Sequence, residues 1–147
     1  MNEHPLLMRG PLVRATLEGR KTQTRRPVIP QPDDDIVAVR YDAIADLWLG
    51  NTPEDNDLGY TSSWAERCPL GKAGDRLWVR ETWTAAMHEP KGPDDCLYRA
   101  DANRGVEDLA EAKWTPSIHM PRWACRLVLP LASVRVERVQ GTTDDDA

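Results

Sequence analysis

Four cations fall within the eight residues Gly19-Arg20-Lys21-Thr22-Gln23-Thr24-Arg25-Arg26, interleaved with hydroxyl and amide groups and stopped by Pro27. At this density, guanidinium and ammonium groups repel one another unless an anion, a carboxylate or water answers them. The chemistry such a set performs is the holding of an anion, and the surrounding charge pattern makes that site local. Arg14, Arg20, Lys21, Arg25 and Arg26 have only Glu18 nearby, whereas Asp33, Asp34, Asp35, Asp42, Asp46, Glu54, Asp55 and Asp57 follow. A formal net charge of −5 over 147 residues excludes a histone-like polyanion binder. The bland reading of the same cations is a solvated edge strand whose charges discourage aggregation.

Other chemistry-bearing groups are scattered. Glu81 alternates with apolar residues, and a carboxylate on an apolar face calls for a cation. His119 lies in the proline-bounded run 114–121, which is rich in groups that recognise ligands. Trp78, Trp83 and Trp123 serve either as core residues or as base-stacking platforms, with Trp83 the preferred stacker. Cys68, His88, Cys96, His119 and Cys125 match no zinc-site spacing, so no metal and no cofactor is expected. Gly71-Lys72-Ala73-Gly74 lacks the Walker spacing and reads as a turn.

These groups need elements to hold them. Residues 11–18 predict a short helix, with Pro11 in its first turn, Val13 and Leu17 on one face and Gly19 as the left-handed stop. Residues 21–26 predict extended backbone, which puts Lys21, Gln23 and Arg25 on one side and Thr22, Thr24 and Arg26 on the other. Residues 28–63 read as a surface insertion with one packed element around Ile44, Leu47, Trp48 and Leu49, and residues 89–95 as a second insertion. Residues 76–83 predict a strand burying Leu77, Val79, Glu81 and Trp83, and 96–100 a short extended segment. A brief helix is predicted at 106–113, and strands at 122–129 and 133–139, broken at Pro130. The whole predicts a mainly β, α+β fold with short flanking helices and a partly closed β-barrel.

Three blocks together are similar to a known family. The first segment, then Gly74-Asp75-Arg76-Leu77-Trp78-Val79-Arg80-Glu81-Thr82-Trp83, then Ser117-Ile118-His119-Met120-Pro121-Arg122-Trp123-Ala124, resemble the ASCH domain of the PUA-like superfamily. Within it, the order and spacing resemble tryptophan-rich ASCH proteins often encoded by phages and prophages. The resemblance covers residues 8–147 as a single domain, with the two insertions as variable regions.

What it implies is a barrel with a cleft beside Lys21, in a superfamily associated with RNA and modified bases. Small ASCH proteins include amidohydrolases that remove the acetyl group from N4-acetylcytidine using a lysine, a threonine and a later glutamate. By motif position the first two correspond to Lys21 and Thr24. The family's acidic helix start resembles Thr142-Thr143-Asp144-Asp145-Asp146-Ala147, so its glutamate and closing strand are expected beyond Ala147. A threonine hydroxyl needs a base, and a lysine of ordinary pKa, about 10.4, is a poor one at neutral pH. Glu81 is then the carboxylate within the chain that completes the set.

Three functions follow as expectations. The first is binding of RNA, single-stranded nucleic acid or a modified nucleoside, with Arg20, Arg25, Arg26, Arg80, Trp83 and His119 as contacts. The second is an amidohydrolase acting on an acylated cytosine base, with Thr24 as nucleophile, Lys21 as base and Glu81 or a residue beyond Ala147 as the carboxylate, and the third is a phage structural or assembly protein without a ligand. Three unpaired cysteines and no long apolar run lead to the expectation of a soluble cytoplasmic protein without a membrane partner. An open barrel edge allows a homodimer.

Overall fold

The computed structural model describes residues 1–53, 64–102 and 112–138. The predicted helix at 106–113, the last residue of the strand predicted at 133–139 and the acidic run 142–147 lie wholly or largely outside them.

The central sheet is built on a strand that the sequence reading passes over. β1 (Glu3–Leu7) runs parallel to β5 (Arg76–Arg80), with Glu3 opposite Arg76 and Leu7 opposite Arg80. Between them in sequence come α1 (Gly10–Leu17), β2 (Ala38–Asp42), β3 (Leu47–Asn51) and β4 (Ala65–Glu66). β6 (Trp83–Ala85), β7 (Cys96–Tyr98) and β8 (Val128–Pro130) follow. The sheets are β1-β5-β8, β2-β3-β4 and β6-β7, and none closes into a barrel among the described residues. Among the described residues the fold is mainly β with one α-helix. Pro5 in edge strand β1 and Pro130 at the end of edge strand β8 each remove a ladder N–H, which blunts both edges.

Alternation explains the core. Leu77, Val79, Glu81 and Trp83 are all buried, as their spacing predicts, although the strand breaks after Arg80 and restarts at Trp83. Leu6, Met8, Val13, Leu77, Val79 and Ala100 form one cluster. Trp83, Cys96, Tyr98, Met120, Ala124 and Cys125 form another. The helix buries Val13 alone, and Leu17 is exposed, contrary to the predicted pair. It is instead tethered by the Arg14 guanidinium, which donates to the Ala100 carbonyl at 2.9 Å.

Two further strands are corrected. Residues 122–124 form a 3-10 turn, only Val128 and Leu129 of the predicted 122–129 strand lie in a paired strand, and Pro130 ends that strand instead of preceding another. Residues 133–138 are not in a strand, although Val134 and Val136 still alternate in burial with Arg135 and Glu137. The packed element in the first insertion is the β2–β3 hairpin, in which Tyr41 meets Trp48 at 5.4 Å, but Ile44 sits fully exposed at its tip.

Candidate nucleic-acid interface

The cationic segment begins where α1 unwinds. Gly19, at φ 72, lets the chain reverse, and the Ala15 carbonyl accepts both the Arg20 and the Lys21 backbone N–H, at 2.9 and 3.0 Å. That wrap satisfies a helix-end carbonyl and fixes the direction in which Lys21 leaves the helix. From there residues 21–26 run without a strand partner among the described residues, so the predicted extended segment is an irregular surface strip. Arg20 pairs with Glu18, and the Lys21 ammonium donates to the Gln23 carbonyl. Arg25 lies 3.7 Å from Glu137. Arg26 donates to the Thr24 hydroxyl at 3.2 Å and to the Arg25 carbonyl at 2.8 Å.

Arg26 also joins this segment to the sheet, donating to the Leu7 carbonyl at 3.1 Å. Leu7 is the register partner of Arg80, and the Met8 N–H donates to the Arg80 carbonyl at 3.0 Å. The Arg80 guanidinium in turn donates to the Ile118 carbonyl, one residue before exposed His119. The three sequence blocks therefore meet at one end of the β1–β5 pair. His119 sits in a 3-10 turn at Ser117–His119, a segment with no regular strand or α-helix, as its prolines dictate.

The outward face of this pair adds aromatic surface. Arg80 and Arg122 place their guanidinium carbons 5.3 and 6.0 Å from the Trp78 ring centroid, within cation–π range. Arg122 is held by Glu3 through bonds of 2.8 and 3.0 Å, and this guanidinium keeps the Glu3 carboxyl below the usual carboxylate range. Trp83 is 9% exposed and stands edge-on to Trp123 at 5.4 Å, whereas Trp123 is 42% exposed. The accessible ring is Trp123 and not Trp83. Trp78 and Arg122 were not among the expected contacts; the outward register of residues 76, 78 and 80 signals Trp78, whereas Arg122 comes from the 3-10 turn Arg122–Ala124 and carries no such signal.

Glu81 serves a different centre. It is 1% exposed, and Arg126 grips both carboxylate oxygens, at 2.9 and 3.0 Å, while also pairing with Asp101 and lying 4.0 Å above the Tyr98 ring. Burial raises the Glu81 pKa, against the lowering by Arg126. The cation that its burial demands is Arg126, just before β8. No hydrogen bond or ion pair among the described residues joins Lys21 or Thr24 to Glu81. No group of three metal-ligating side chains occurs among the described residues. No helix among them is long and apolar enough to cross a membrane. Comparisons with protein-family models, curated proteins and solved structures find no match.

Proposed function

We propose that this chain is an ASCH-like module that binds single-stranded nucleic acid or a modified nucleoside through the strip running from residues 20–26 across Arg80 to Trp123. In this reading the three sheets are walls of an open PUA-like barrel, and the strip lies at one end of its central strand pair. The observation that carries the proposal is the linkage of the three blocks: Arg26 on the Leu7 carbonyl, Leu7 beside Arg80, and Arg80 on the Ile118 carbonyl. It brings cations next to exposed aromatic surface, the combination that tracks a backbone while stacking bases. Glu18 answers Arg20, Glu137 answers Arg25 and Glu3 answers Arg122, while Lys21, Arg26 and Arg80 add further cations, so the local field along the strip favours an anion although the whole chain is acidic.

The test is fluorescence anisotropy of a labelled single-stranded RNA oligonucleotide, with DNA and nucleosides as competitors, across a salt series. Binding should weaken linearly in log–log coordinates with a slope of about −0.7 per phosphate contacted. Trp123→Ala should reduce affinity about tenfold, within the roughly 1–3 kcal/mol that a stacking ring contributes. Absence of saturable binding at low salt would reject the proposal.

A further inference from the structure

A cleft of about 210 Å³ opens on the other side of the β1–β5 pair, at its opposite end from Arg80. His4 alternates with Leu6 toward the core face and lines this cleft with Asp75, Lys72, Arg67 and Tyr41. Gly71, at φ 87, makes the space: a Cβ there would lie 2.6 Å from His4 Nε2 and 2.8 Å from Asp75 Oδ2. The turn that reads in sequence only as an approach to a strand therefore shapes a cavity.

Internal pairing accounts for the acceptors. Asp75, 5% exposed, accepts the Asn2 N–H at 2.7 Å and the Lys72 N–H at 3.2 Å. Asp46 accepts the Tyr41 hydroxyl at 2.5 Å and lies 3.5 Å from the Lys72 ammonium. The donors are less well served. His4 Nε2 is buried 3.4 Å from Asp75 Oδ2 without the alignment of a hydrogen bond. The exposed Arg67 has no hydrogen bond or ion pair with another described residue. What the cleft wall offers a ligand is one exposed guanidinium, Arg67, beside the Lys72 ammonium shared with Asp46, so a ligand that completes the site must be an acceptor-rich anion.

We propose that this cleft is a second binding site, a receptor for the tetrahedral oxyanion of a small phosphate monoester. Arg67 supplies the forked counter-charge, and Lys72 turns from Asp46 toward a second oxygen. A guanidinium and an ammonium on either side of the turn at Gly71 match the charge of a phosphate monoester better than that of a single carboxylate. The volume exceeds a bare phosphate and leaves room for a small ester group, while falling below the roughly 300 Å³ at which drug-sized pockets begin.

The test is a two-dimensional amide NMR titration of the full chain with inorganic phosphate and phenyl phosphate as probes and acetate as the planar control. Both phosphates should saturably shift the Gly71 and Lys72 amides, with acetate much weaker. Arg67→Gln should weaken the response about tenfold, the effect of losing a charged hydrogen-bonding group, and Lys91→Gln, an exposed lysine outside the cleft lining, should leave it unchanged. Should Arg67→Gln not fold, the wild-type map decides: shifts centred on residues 71 and 72 support the site. Shifts confined to residues 20–26, equal responses to acetate, an unaltered Arg67→Gln, or no saturation each overturn it.

Discussion

Glu81 shows how far a single residue can be read. Its place among Leu77, Val79 and Trp83 marks a buried carboxylate that needs a cation, and the structure supplies one. The identity of that cation was illegible, because Arg126 lies 45 residues away and reaches Glu81 only after the 3-10 turn at Arg122–Ala124 and the bend into β8. Removing one member of a buried pair strands the other. Glu81→Ala should therefore cost about 3 kcal/mol in urea unfolding, with Glu81→Gln costing less because an amide oxygen still accepts from Arg126. Equal stability of wild type and Glu81→Ala would show that Arg126 finds full compensation in Asp101. Trp83 makes the complementary point: sequence names the tryptophans but not which ring faces water, since Trp123 covers Trp83 edge-on.

Elements were legible where burial alternates and a partner strand exists. β5 has both, flanked by β1 and β8, and its inward residues match their spacing. Residues 133–138 alternate too, yet find no ladder partner among the described residues, because periodicity sets faces and not pairing. β1 escaped notice because Pro5 argues against a strand; it is tolerated there at the sheet edge. The end of α1 was readable, since Gly19 takes the left-handed conformation that stops the helix and launches Lys21. Nothing lies within 4 Å of a Cβ placed at Gly19, so Gly19→Ala tests φ alone. It should destabilise by about 1 kcal/mol, measured as a lower urea midpoint at unchanged slope; an unchanged midpoint would mean that the wrap relaxes without cost.

At the scale of the whole molecule, opposing carboxylates shape the response to pH. Burial holds Glu81 above its ordinary range, so the folded state takes up a proton before the unfolded state does. Stability should rise as pH falls from neutrality through that raised pKa toward about 4.3, the unfolded glutamate value. Asp75 is held low by the Asn2 and Lys72 N–H groups, and Asp42, Asp46 and Glu3 are also held low by their own partners. Their stabilisation is complete above about pH 4 and is lost as pH falls through their depressed values. Urea midpoints should thus peak on the acid side of neutrality and then drop, and Glu81→Gln should lose the rise but keep the drop. A wild-type midpoint that only declines from pH 7 downward would contradict burial as the dominant influence on Glu81. The charge distribution is also a whole-molecule property: the chain is acidic, but one end of the β1–β5 pair brings Arg26 and Arg80 together beside the Ile118 carbonyl of the third block. The most direct test of that arrangement is the salt dependence of single-stranded RNA binding by wild type and Arg26→Gln/Trp123→Ala. Saturable wild-type binding, with a log–log slope of about −1.4 to −2.1 for two or three phosphates and a loss of at least about tenfold in the double variant, is the predicted result. Binding that is absent, or equal in the two proteins at every salt concentration, would contradict it.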